Sequence, residues 1–173
     1  MGVSWKKAER DVAKELQDWW RRLEPRARFS RTPGSGGWAT ARAFDGARAK
    51  MRGDVTVVSG AVRWPFSVEV KFRDEVTPGA IERFLVGQRS VIDRWWRQCC
   101  AAAEKDGLRP LLVFRGDRMP WRVVYQEAGE ERPRLRLLST LVRYDPEPFA
   151  KSSRKQRRRP RERGMKGKEC SEE

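Results

Sequence analysis

Residues 53–73 read GDVTVVSGAVRWPFSVEVKFR. From Val62 to Phe72 every even position is apolar or aromatic (Val62, Trp64, Phe66, Val68, Val70, Phe72), while Arg63, Pro65, Ser67, Glu69, Lys71 and Arg73 hold the odd ones. Strict alternation of this kind predicts a long strand over Val62–Phe72 with one face in a core. A shorter strand over Asp54–Val58 precedes it, and Ser59-Gly60 supplies the turn of a hairpin. Glu69 and Lys71, two residues apart on a strand, point the same way, about 7 Å from each other. Val55 and Val57 face away from Asp54, so the hairpin can bring Asp54 beside Glu69 on the surface opposite the core.

Two carboxylates that face each other repel unless a cation lies between them. A divalent metal answers that, and a neighbouring lysine can then position or activate a water against a phosphate. The plainer alternative is a surface salt bridge from Glu69 to Lys71 or Arg63, with Asp54 as a turn residue. With fifteen Glu and ten Lys in the chain, roughly one E-x-K is expected by chance, so the spacing needs its context.

Outward from the hairpin, the elements read as follows. A helix is predicted from Trp5 to Leu23, with Ser4 as its cap, Pro25 beyond its end and a stripe of Trp5, Ala8, Val12, Leu16, Trp19 or Trp20, and Leu23. Glu9 falls at the edge of that stripe, where an acid needs a partner. A short strand follows at 26–30. The segment from Arg31 to Gly53 is long, basic and without a clear period, which is unusual unless it is functional. Thr77-Pro78 signals a helix start; helical spacing runs to Leu85, breaks at Gly87, and resumes from Val91 to Ala102. On that second run Gln98 aligns with Val91, Trp95 and Ala102, either as a polar group on a packed face or as a boundary residue. Strands are predicted at Pro110–Arg115 and Trp121–Gln126, and Leu135–Tyr144 reads as a last strand or a short helix. The fold class is α/β (α+β), a mixed sheet with helices against it.

Composition narrows the function. The chain has 173 residues, a net charge of +15 and a pI near 10.7, which points to a polyanionic partner. It contains no histidine, which excludes Ser-His-Asp triads, His-based nucleases and the usual catalytic zinc site. Cys99, Cys100 and Cys170 have neither disulfide nor metal-ligand spacing, and the adjacent pair reads as small apolar helix residues. Any metal is therefore held by oxygen, which selects a hard ion, Mg2+ or Mn2+. Neither a signal peptide nor a long apolar run is present, so the expectation is a soluble protein of the cytoplasm (the host's, if phage-encoded) with no membrane and no small-molecule cofactor. Residues 1–150 read as one domain. Residues 151–173, with ten Lys/Arg and four Glu, read as a disordered basic tail that either solubilises the chain or adds affinity for DNA.

Asp54 followed by Glu69-Val70-Lys71, after a helix carrying Glu9-Arg10, resembles the PD-(D/E)XK nuclease pattern. Within it, the chain is similar to Hjc-type Holliday junction resolvases, above all phage-encoded ones. Arg31-Thr-Pro-Gly-Ser35-Gly resembles the arginine-and-serine segment between first strand and metal aspartate, and Trp95-Trp96-Arg97-Gln98 followed by PLLVFR also resembles phage relatives. The likeness runs from about residue 5 to 126. Gly53-Asp54 stands in place of Pro-Asp, and the insertion between Ser35 and Asp54 and the tail depart from the pattern.

The resemblance implies a restriction-endonuclease-like core, a mixed central sheet flanked by helices. It implies that Asp54, Glu69 and the Val70 carbonyl bind metal, with Glu9 assisting through a water or a second ion. Lys71 would orient the nucleophilic water; Arg31 and Ser35 would sit near the scissile phosphate, and Gln98 would join the catalytic group. Arg10, Arg73 and the stretch with Arg42, Arg48, Lys50 and Arg52 are expected on the DNA backbone. The implied activity is resolution of four-way DNA junctions by a homodimer. The alternatives are another nuclease of the superfamily (nickase, restriction-type or exonuclease) or a non-catalytic basic nucleic-acid binder.

Overall fold

In the computed structural model, which describes residues 5–32, 53–61, 63–127 and 130–156, the alternating stretch becomes a strand only from Phe66. The chain runs through α1 (Trp5–Trp20), β1 (Arg28–Arg31), β2 (Val55–Ser59), β3 (Phe66–Phe72), α2 (Pro78–Leu85), α3 (Val91–Asp106), β4 (Arg109–Arg115), β5 (Arg122–Tyr125), β6 (Arg134–Leu137), α4 (Leu138–Leu141) and α5 (Glu147–Gln156). Six strands form one sheet in sequence order. Only β3 and β4 pair in parallel; every other neighbouring pair is antiparallel. A parallel pair needs a long crossover, and here α2 and α3 supply it.

Both faces of the sheet are covered. Val68 and Val70 of β3, Leu111 and Val113 of β4, and Val123 of β5 pack with Val12, Leu16, Trp19 and Trp20 of α1, with α4 and with Phe149 of α5. On the other face Leu112, Phe114 and Val124 meet Ile92, Trp95, Trp96 and Cys99 of α3 and Ile81 of α2. This corrects the expectation of an open surface behind the hairpin: Ser67 is buried there, and Cys99 Sγ lies 4.0 Å from its carbonyl oxygen. Burial pushes the Cys99 thiol up to about 12, so it stays protonated and behaves as an apolar side chain.

Local chemistry explains the boundaries. Thr77 Oγ1 caps α2 by accepting from the Ala80 N–H at 3.2 Å, and Ser90 Oγ caps α3 by accepting from Asp93 at the same distance. Gly107, at φ 61, closes α3 in the left-handed region. Helix α1 stops at Trp20 rather than Leu23, where the Trp20 indole N–H donates to the Glu24 carboxylate at 2.6 Å. Trp64 does not continue β3; it plugs a turn, its ring edge-on to Phe29 at 4.5 Å and Trp20 at 4.9 Å between centroids. The segment 135–144 holds both candidate elements, β6 ending where α4 begins. Helix α5 runs past residue 150, the expected end of the domain, to Gln156. Among the described residues no helix is long and apolar enough to cross a membrane.

Trp20 is fully buried and edge-on to both Trp19 (5.6 Å) and Trp64, so Trp20→Ala removes the centre of an aromatic group. We expect a loss of about 3–5 kcal/mol in urea unfolding; a loss under about 1 kcal/mol would show that the cluster is not the core's anchor.

Candidate active site

Helix α1, the residue that precedes β2 and the end of β3 converge on a cavity of about 230 Å³ lined by Trp5, Ala8, Glu9, Asp54, Val70, Lys71, Phe72 and Arg73. Asp54 enters it because of Gly53. At φ 82, Gly53 lies where an L side chain is strained, and a Cβ there would meet the Val68 carbonyl oxygen at 2.3 Å. Glycine lets the chain pass this close to β3. The Asp54 N–H then donates to that same carbonyl at 2.7 Å, and the Asp54 carboxylate accepts from the Val70 N–H at 2.8 Å. From the far side, the Thr32 N–H donates to the Asp54 carbonyl at 3.0 Å. The aspartate is thus locked to both neighbouring strands by backbone.

Glu69, the residue before Val70, is close enough for its charge to act on Asp54, but it does not line the cavity. Burial, together with the negative charges of Glu69 and Glu9, pushes the Asp54 carboxyl from 3.8 up to about 7, against the opposing pull of the Val70 N–H and Lys71. Glu69 pairs with Lys71 at 2.5 Å, both side chains about one-fifth exposed. Glu9, 6% exposed on α1, pairs with the Arg31 guanidinium at the end of β1. Arg31 also lies over the Trp5 ring, 4.8 Å from its centroid. Each of these two glutamates therefore has a cation in contact, while the half-buried carboxylate of Asp54 relies on a backbone N–H.

Several sequence expectations fall elsewhere. Gln98 is exposed on α3, off the buried line of Ile92, Trp95, Trp96, Cys99 and Ala103. The expected line through Val91 and Ala102 is one residue out of phase with the packed one, and nothing brings Gln98 to the cavity. Arg10 is exposed on α1, and Arg73 is exposed at the cavity edge. Ser35, Arg42, Arg48, Lys50 and Arg52 lie outside the described residues. Trp5, expected in the core, is instead 44% exposed and lines the cavity. Thr32 is a site residue that sequence reasoning missed: it is buried beside Asp54, and among the described residues its hydroxyl has no partner. The Arg-Thr pair at the end of a strand was the available signal.

The donors here suit a hard divalent cation. They are all oxygens, and a divalent charge would offset both the burial that raises the Asp54 carboxyl and the smaller contribution of the neighbouring negative charges. No three His, Cys, Asp or Glu side chains among the described residues stand close enough to enclose an ion. A larger cavity, about 490 Å³, opens at the other end of the sheet around Arg109, Tyr125 and Arg134; its Glu127 is paired with Arg134 at 3.0 Å. It offers no such crowding.

Residues 6–144 match the family described as "Phage putative PDDEXK endonuclease". "Protein D14" of Escherichia phage T5 is 29% identical over 98 residues, which are 55% of this chain and 54% of that protein. The chain thus spans about half the length of this curated relative. No solved structure matches.

A carboxyl whose pKa is raised on folding takes up protons in the folded state, so its ionisation costs stability. The cost is absent below the unfolded value of 3.8, grows as pH rises, and is complete above about 7. In the presence of chelator, Asp54→Asn should therefore stabilise the protein at pH 8, by about 1–4 kcal/mol, and have little effect near pH 4. Equal melting shifts at both pH values would refute the buried-charge account.

Proposed function

Because the chain belongs to the phage PDDEXK endonuclease family, we propose that it is a Mg2+-dependent endonuclease that cuts branched DNA, with the four-way (Holliday) junction as its substrate. The observation that carries the nuclease reading is the Asp54 carboxylate, fixed on backbone against Glu69 and Lys71 with Glu9 behind it. Membership of a PD-(D/E)XK family points by itself to a nuclease acting on DNA; the junction and the ion are our own assignment.

Asp54, Glu69 and the Val70 carbonyl would hold the ion, with Glu9 as an outer ligand. The ion, Mg2+ or Mn2+, would supply Lewis acidity and neutralise charge on the phosphate under attack. The chain's own groups supply the rest. Lys71, two residues from Glu69 on the same strand, is placed to hold the attacking water by hydrogen bonding. Its contact with Glu69 fixes its direction. Arg31, steadied by Glu9 and the Trp5 ring, which both line the cavity, would bring a guanidinium close to it, where it could take a non-bridging phosphate oxygen. Ser35 is assigned to the same phosphate.

The junction reading rests on charge and symmetry. A net charge of +15 favours a polyanion, duplex and branched DNA alike. A junction offers two symmetry-related scissile phosphates, which one site per subunit reaches together only in a twofold dimer. Arg10, Arg73 and the stretch bearing Arg42, Arg48, Lys50 and Arg52 would follow the arms by phosphate contacts, which position without reading bases. Residues 151–173 would add sequence-independent affinity. A second reading, a nickase or duplex endonuclease, is favoured by the family's description as endonuclease without mention of junctions.

With Mg2+, the purified chain should nick a four-way junction symmetrically and leave linear duplex largely intact. Asp54→Asn and Glu69→Gln should abolish cleavage while junction Kd stays within about tenfold, or 1.4 kcal/mol. Wild-type cleavage by both variants would remove the nuclease site; equal cutting of duplex and junction by a monomer would remove the resolvase alone.

The tail is tested separately. Residues 157–173 carry seven Lys/Arg, so deleting them should flatten the plot of log K against log salt by up to about 0.9 for each phosphate they neutralise. The melting temperature should hold. A marked fall would place those residues in the folded domain.

A further inference from the structure

One half-buried arginine near the cavity is unlike the rest. Arg21, Arg31, Arg63, Arg109, Arg122 and Arg134 each donate to a carbonyl or pair with a carboxylate. Arg115, at the end of β4, has no hydrogen bond or ion pair from its side chain among the described residues, and its Nε is buried without a partner. It is held by aromatic rings instead. Its guanidinium carbon lies 4.9 Å from the centroid of Phe72 and 4.8 Å from that of Trp121. We infer that Arg115 is a preset phosphate-binding residue that takes a DNA backbone phosphate next to the one being hydrolysed.

Position carries the inference first. Arg115 is the register partner of Phe72 in the parallel β3–β4 pair, and its carbonyl accepts from the Arg73 N–H at 3.3 Å. Phe72 lines the cavity that contains Asp54, Glu9 and Lys71, so Arg115 stands one ring away from the carboxylates. Along the same end of the sheet, adjacent strands present Arg31 on β1, Asp54 before β2, Lys71 on β3 and Arg115 on β4. Strands lie about 4.8 Å apart, so this row sets two arginines on opposite sides of the metal-binding carboxylates.

The chemistry agrees. A guanidinium between two rings loses its rotamer freedom before any ligand arrives, and its planar fork is directed by the rings. Binding an anion then costs little further ordering. A bidentate pair with phosphate would satisfy a group that folding has left without a partner. The inference rests on the proposed nuclease site, because that site makes DNA phosphate the anion at hand.

The full chain carrying Asp54→Asn is used, so that DNA is bound and not cut. Adding Arg115→Met should raise the Kd for a four-way junction about tenfold and flatten the salt plot by about 0.9, the share of one phosphate. A single neutral methylphosphonate, moved through the phosphates around the mapped cleavage site, should weaken binding at one flanking position. At that position it should cost nothing further once Arg115 is Met. Where the Met variant unfolds, Arg115→Lys serves: the salt slope is kept, and Kd rises severalfold because the fork is absent. An unchanged slope and an unchanged methylphosphonate profile, or an unchanged Kd with lysine, would make Arg115 a packing residue only. Failure of the unmutated chain to cleave any DNA would instead remove the nuclease reading, while the salt slope and methylphosphonate profile would still decide whether Arg115 meets a phosphate.

Discussion

The close approach of Gly53-Asp54 to β3 governs the site. A backbone carbonyl, Val68 O, receives the Asp54 N–H at 2.7 Å, and two residues on, the Val70 N–H returns a bond to the Asp54 carboxylate. The two bonds clamp one aspartate to one strand by both its backbone and its side chain. They require a residue without Cβ immediately before it, since any Cβ would lie 2.3 Å from that same Val68 oxygen. Ionised Asp54 is then expensive, mainly because it is partly buried and further because Glu69 and Glu9 add negative charge nearby. Such a charge is tolerated where it serves a function, and is countered by a ligand of opposite sign.

The parallel β3–β4 pair makes the rest of the arrangement possible. Because a helical crossover joins them, β4 enters beside β3 in register, buried on both faces. Its last residue, Arg115, is thereby delivered to the same end of the sheet as Lys71. An antiparallel β4 would put its first residue there instead. On the other flank the short antiparallel β1 ends at Arg31, level with Val55 of β2. Helix α1 lies across these strands, which brings Glu9 within reach of Arg31 while Val12, Leu16 and Trp20 enter the core. Glu9 and the packing residues share one helix because the cavity opens where the core ends.

How much of this the amino-acid sequence disclosed follows from what period and spacing encode. Alternation in Phe66–Phe72 and the i, i+2 relation of Glu69 and Lys71 are local, so the strand and the pair were legible. Asp54 was found through the hairpin, and Glu9 through an acid at the edge of an apolar stripe. Trp64 misled because aromatic alternation cannot distinguish a strand residue from a ring that plugs a turn; Pro65 was the sign that pairing stopped there. Gln98 failed because a helix of 16 residues admits two overlapping apolar lines, and the buried one follows Trp96 and Cys99. The roof over Glu69 could not be read from β3, since it depends on where the crossover helices pack.

Charge shows why the site is built from pairs rather than from isolated groups. In a chain of net charge +15, acids are scarce beside cations, and an unpaired carboxylate in the cleft would draw whichever arginine could reach it. Glu9 and Glu69 are each assigned a cation within the fold, Arg31 and Lys71. Those cations also enter the region where phosphate would lie, so a carboxylate and a phosphate compete for the same guanidinium and ammonium. Asp54 is the exception, because its partner is backbone and cannot be drawn away. Arg115 is the converse exception among the half-buried arginines, a cation held by rings with no acid beside it. One fixed acid without a cation and one fixed cation without an acid, on adjoining parts of a single sheet edge, leave each to be completed from outside: a divalent ion for the first, a phosphate for the second.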